Sequence, residues 1–148
     1  MKVTCSININ SEPEKVWYWL ATPERAMSWQ TGVSGTELLE RTPGVVGTTF
    51  RETIEQEGHT MEMYGIVADY QENQLLVMHL SSEYNTVEVE WRIEKAGEHT
   101  RLTVDSDIRF LSLVKVISFL MMPVFKKRIL RQLQGELVRL KQLCERDS

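Results

Sequence analysis

Cysteine is nearly absent from this 148-residue chain: Cys5 and Cys144, at opposite ends, are the only two. Neither sits in a metal-ligand spacing, and two free thiols in a reducing cytoplasm follow. Histidine is scarce as well. His59 and His99 lie beside glycine-containing turns and are expected to be exposed. His79 is expected to face outward, because Leu76, Met78 and Leu80 make the other face of its strand the greasier one. No two histidines have metal-ligand spacing, and no Ser/His/Asp or Cys/His arrangement is legible, so neither a metal nor a cofactor is expected. There is no basic excess. A net charge of −4 argues against nucleic acid as the main partner, since phosphate binding needs a basic field. No continuous apolar stretch opens the chain, which excludes a signal peptide. The apolar run 111–125 carries Lys115 and Pro123 and falls short of the roughly 20 residues a spanning helix needs.

What is present is an ordinary globular composition, 42% hydrophobic and 26% charged, at a length that fits one domain, 1–148. Val3, Cys5, Ile7 and Ile9 alternate with polar residues, the pattern of a half-buried strand. Ser11-Glu-Pro-Glu14 reads as a capping box opening a short helix with Val16, Trp17 and Leu20. Thr22-Pro23 reads as a cap followed by proline at the first helical position, opening another short helix with Ala26, Met27 and Trp29. Strand-like segments then follow at 36–42, 47–56, 59–70, 75–81, 86–94 and 101–109, parted by short turns. The last two alternate cleanly. Val87, Val89, Trp91 and Ile93 share a face with Leu102, Val104 and Ile108. Glu88, Glu90, Glu94, Asp105 and Asp107 interleave with Arg92, Arg101 and Arg109 on the opposite face, a charge-paired, solvated surface. Such strands make an antiparallel meander, wet on one face and dry on the other.

The last third joins two kinds of helix. Residues 111–125 are apolar almost all round. Beyond them, Leu130, Leu133, Leu137, Leu140 and Cys144 recur at steps of three and four, a single apolar stripe. Pro123 removes the bond to the carbonyl of Phe119, so a kink or restart is expected there. A helix apolar on every face must be covered on every face, or meet something apolar outside its own core. A sheet wrapped round the long helix, with an apolar hollow between them, satisfies that need.

This order of elements resembles the helix-grip fold: an α+β architecture with a curved antiparallel sheet of six to seven strands, two short helices after strand 1, and a long C-terminal helix across the concave face. EPEKVWYWLATPERAMSW (12–29) is similar to the opening helices of the polyketide cyclase/dehydrase and lipid-transport family, in the START-like, Bet v 1-like superfamily. TPGVVGTTF (42–50) resembles the loop after its second strand, HTRLTVDSD (99–107) its last strand, and LVRLKQLCE (137–145) the end of its long helix. The resemblance implies a cavity between sheet and long helix that takes apolar small molecules. It implies no single activity, since the superfamily includes carriers, cyclases, hydrolases and co-chaperone domains, and no catalytic motif of an enzymatic branch is legible.

The expected cavity lining is Trp29, Phe50, Met61, Met63, Met78, Trp91, Val104, Phe119 and Met122. Methionine is flexible and suits a wall that adapts to apolar ligands. Glu52 is the one candidate for catalysis. Its position between Phe50 and Ile54 at strand period turns it toward the dry side, where a carboxylate must be partnered, protonated or functional. A register break or bulge would point it outward instead. Lys126, Lys127, Arg128 and Arg131 follow the apolar run, either as the snorkelling edge of a buried helix or as part of a membrane-touching segment, 111–131. The leading reading is a cytoplasmic carrier or sensor, monomer or homodimer, that holds an apolar small molecule or lipid. One alternative is a cyclase/dehydratase-type enzyme acting on a polyketide-like substrate. The other is a co-chaperone-like interaction module that docks through 111–125.

Overall fold

The structure is a computed structural model describing residues 1–56 and 58–146, without the side chains of residues 56 and 112–120. The chain runs β1 (Lys2–Ile9), α1 (Pro13–Leu20), α2 (Pro23–Ala26), β2 (Val33–Glu40), β3 (Thr49–Gln56), β4 (His59–Gln71), β5 (Leu75–Ser81), β6 (Asn85–Ala96), β7 (His99–Phe110) and α3 (Ser112–Arg146). Strands β2 to β7 form a meander, and β1 joins its far edge, giving the order β1-β7-β6-β5-β4-β3-β2 with every pairing antiparallel. Register shifts in β2 and between Val67 and Asp69 of β4 supply the local twist by which a sheet curves. This is the helix-grip fold.

Cross-strand pairing confirms the two faces. Trp91 pairs with Val104 and Ile93 with Leu102, and all four are buried. On the outer face Glu90 stands directly opposite Asp105, a like-charge pair that would repel. Arg92 bonds to the Glu90 carboxylate and lies 2.8 Å from that of Asp105, which neutralises the repulsion. His59, His79 and His99 are exposed, and His79 Nε2 lies 3.3 Å from Glu88 Oε2.

Two helix expectations need correction. The N-cap of α1 is Glu12, with no side-chain capping bond, rather than Ser11. Pro13 has a φ preset for the first helical position, where its missing N–H is lost without cost. Ser11 instead offers its carbonyl to the buried Thr100 hydroxyl at 2.6 Å. In α3, residues 112–146 form one helical run with Pro123 inside it, so the helix does not restart there. Losing a single N–H does not end a helix that long, which spans roughly 52 Å at ~1.5 Å per residue.

The back half of α3 packs on β1, α1 and β7. Leu133, Leu137, Leu140 and Cys144 are buried, and Leu130 is half-buried. Its end is pinned by polar bonds: Lys141 Nζ donates to the Asn8 carbonyl, and the Asn10 N–H donates to Glu145 Oε1, both at 2.8 Å. Among the described residues, α2 and the loop 41–48 lie over the inner face of β3 to β5.

Candidate functional site

Between that inner face and its roof lies a hollow of about 360 Å³. Among the described residues its floor is Phe50 and Glu52 of β3, Val67 and Tyr70 of β4, Leu76 and Met78 of β5, and Trp91 of β6. Its roof is Leu20, Ala26 and Trp29, and its rim includes Arg41, Thr42, Val45 and Thr48.

Trp29 holds these layers together. Its indole N–H donates to the Trp19 carbonyl at 2.9 Å, and its ring meets that of Trp91 edge-on at 5.6 Å. Its own carbonyl accepts from Arg139 Nε of α3 at 3.0 Å. Tyr70 stacks at a tilt on Trp17, 5.6 Å between centroids, and its hydroxyl accepts from the Trp17 indole at 3.3 Å. The rim loop is braced from within: the Thr42 hydroxyl donates to the Val46 carbonyl at 2.6 Å, and the Thr42 N–H donates to Thr48 Oγ1 at 3.1 Å. Val45 has φ of 70°, a strained conformation for a β-branched residue.

The ring of Phe50 lies across Gly65 of the next strand. A Cβ on Gly65 would sit 2.2 Å from Phe50 Cζ, so only glycine admits the ring there. Gly65→Ala is expected to drive the ring off its place against β4 and to cost about 1–3 kcal/mol, as overpacking does. Denaturant unfolding measures the cost. A variant as stable as wild type would show that the ring does not lie there.

Glu52 faces inward. The β3–β4 register runs without a break from Thr49 to Gln56, so the bulge that would have turned it outward does not occur. Among the described residues none donates a hydrogen bond to its carboxyl. Burial pushes its pKa up, and the negative charge of Glu136 on α3 pushes it further. Glu136 is 8% exposed, and burial raises its pKa too. It is opposed by the Thr31 N–H at 2.9 Å, by Gln132 Nε2 at 3.2 Å and by the charge of Arg139. Glu136 therefore has donors that favour its charged form and Glu52 has none, so of the two Glu52 gives up its proton at the higher pH.

Two expectations follow. Glu136→Gln removes the neighbouring charge and should lower the Glu52 pKa, read by carboxyl-carbon NMR titration. A carboxyl pKa raised in the folded state stabilises the fold below the ordinary glutamate range, and that stability is lost as pH rises through the folded value. Glu52→Gln should therefore melt close to wild type in acid, and above it by a margin that grows as pH passes through the Glu52 titration. A margin that does not change with pH would contradict the inward placement.

The expected lining residues divide. Trp29, Phe50, Met78 and Trp91 meet at the hollow. Val104 is fully buried in the core, and Met63 is buried outside the hollow's described walls. Met61 lies in a surface depression with Ser82 and Tyr84. Met122 is half-buried on α3 and is not among the described walls. The side chain of Phe119, and with it most of the segment 111–125, lies outside the described residues. On either side of it Leu111, Met121 and Val124 are exposed. The described walls thus come from α1, α2, the rim loop and the sheet, where the sequence pointed to α3. Glu136 was missed, although it sits three residues after Leu133 and four before Leu140, on the buried face. A larger depression of about 610 Å³ lies on the outer face. Its walls include Tyr64, Ile66, His79, Glu88 and Arg109, all exposed, so an apolar ligand there would keep much of its surface wet.

A hollow floored by a curved sheet, roofed by two short helices and flanked by a long one is the arrangement to which the sequence comparison speaks directly. The model of the family described as polyketide cyclase/dehydrase and lipid transport matches residues 1–145. The chain belongs to that family. Solved structures similar to it share its fold at low identity. A START superfamily protein from Mycobacterium smegmatis is 19% identical, with TM-score 0.81 and 99% of each chain covered. The Zhui aromatase/cyclase from Streptomyces sp. R1128 is 15% identical, with TM-score 0.80, covering 99% of this chain and 94% of that one. A major latex-like protein from Panax ginseng is 15% identical, with TM-score 0.72, covering 98% and 97%. No curated protein matches the chain in sequence. Among the described residues of this family member, no group of three or more His, Cys, Asp and Glu is placed to hold a metal ion, and no helix is long and apolar enough to cross a membrane.

Proposed function

We propose that this protein binds a hydrophobic small molecule or lipid in the hollow beneath α2 and the rim loop, as a carrier or sensor, with residues 1–148 acting as one ligand-binding domain. The observation that carries the reading is the enclosure of apolar walls by Trp29, Phe50, Met78 and Trp91 from separate elements. Burying an apolar molecule there yields ~25 cal/mol per Å² removed from water, offset by the cost of association. Family membership and the likeness to an aromatase/cyclase and a START superfamily protein support it.

Filling the space is the test. Nile red, a neutral apolar fluorophore, should bind saturably to wild type. Met78→Trp should weaken it about tenfold or more, since the larger side chain takes ligand volume, while the melting temperature stays close to wild type. Equal affinity in both proteins would place the ligand elsewhere. A second reading rests on Glu52: a proton-holding carboxyl on the floor of the hollow is suited to acid–base work on a bound polyketide-like molecule. Turnover of such a substrate that Glu52→Gln abolishes would favour that reading.

A further inference from the structure

The floor of the hollow from β3 to β6 carries two polar side chains, Tyr70 and Glu52. The Tyr70 hydroxyl already accepts from Trp17. At the rim, the Thr42 and Thr48 hydroxyls lie 3.3 Å apart and bond to one another. The Glu52 carboxyl has no such partner among the described residues, and it lines the hollow directly. We propose, building on the binding reading above, that Glu52 is the polar anchor of the ligand, donating a hydrogen bond to a neutral oxygen such as that of a ketone or alcohol, and that the hollow turns carboxylates away.

The surrounding charges favour this choice. From α3, Glu136 presents a negative charge to Glu52, and the neighbouring Arg139 is engaged by Trp29 and Thr31. From α2, Glu24 adds a further acidic group to the lining, and from β4 the titratable group among the described walls is Tyr70. Arg41 lies on the exposed rim, where solvent and salt screen it. An anionic head beside Glu52 would meet the charge of Glu136, and among the described walls the one cation is Arg41 at the rim. A neutral oxygen there accepts a hydrogen bond from the protonated Glu52 carboxyl, the form that burial and Glu136 favour, which satisfies two polar groups at once.

The test uses chain-matched probes displacing Nile red: 2-decanone, 2-decanol and decanoate. Wild type should bind 2-decanone and 2-decanol about tenfold or more tighter than decanoate. Glu52→Gln, which keeps a donor of similar shape, should hold ketone affinity within about twofold, whereas Glu52→Leu should lose about fivefold or more. As pH rises through the Glu52 titration, ketone affinity should fall in wild type and stay level in Glu52→Gln. Decanoate binding as tightly as 2-decanone would overturn the proposal, and so would an unchanged ketone affinity in Glu52→Leu. If Nile red is blocked by Met78→Trp but the three probes bind alike, the role of Glu52 alone fails. If Met78→Trp leaves Nile red binding untouched, the binding site itself is misplaced.

Discussion

Replacing Trp29 with alanine is expected to cost roughly 3–5 kcal/mol of folding stability, the range for truncating a fully buried large aromatic. The residue is 1% exposed. Its ring packs on Trp91 of the sheet and its indole N–H bonds to the carbonyl of Trp19. The alanine side chain would leave a void continuous with the hollow and a carbonyl without its donor. Trp29→Phe keeps a ring but removes the N–H, so it should cost less, about the net value of one hydrogen bond, ~0.5–1.5 kcal/mol, plus a small packing loss. Equilibrium unfolding in denaturant measures both. If the alanine variant loses no more than a typical surface change, about 0.5 kcal/mol, Trp29 does not join roof to floor as described.

Leu140→Ala should cost roughly 2–5 kcal/mol. Leu140 is 0% exposed in the seam where α3 meets β1 and α1. Alanine is the better helix former, so the loss reports packing rather than helix propensity. Val138→Ala, two residues away on the outer side and 46% exposed, should stay within about 0.5 kcal/mol. Comparable losses at the two positions would mean that the stripe from Leu133 to Cys144 does not face the sheet.

How much of this was legible in the sequence depended on periodicity. Strands β6 and β7 alternate so regularly that both faces followed from period two alone, and the stripe from Leu130 to Cys144 placed the packed half of α3. Helix starts were less legible: Ser11 and Glu14 have the spacing of a capping box, but Pro13 between them moves the start of the helix. The hollow itself was half legible. Trp29, Phe50, Met78 and Trp91 stand at the hollow because inward-facing bulky residues line whatever space exists. Val104 and Met63 satisfy the same rule yet fill core, because local pattern does not say where α3 will lie over the sheet. The pairing of Glu52 with Glu136 joins β3 to a helix far along the chain, and no local signal connects them. Period two placed Glu52 inward, but only an unbroken β3–β4 register could establish it.

Methyl NMR of protein labelled at methionine tests the central claim most directly, because the methionines sample the competing sites. Met78 lies in the hollow, Met61 in a surface depression and Met122 on α3. On titration with an apolar probe such as 2-decanone, the Met78 methyl resonance should shift saturably while those of Met61 and Met122 stay still. A saturable shift at Met61 or Met122 with Met78 unmoved would contradict a ligand site in the hollow.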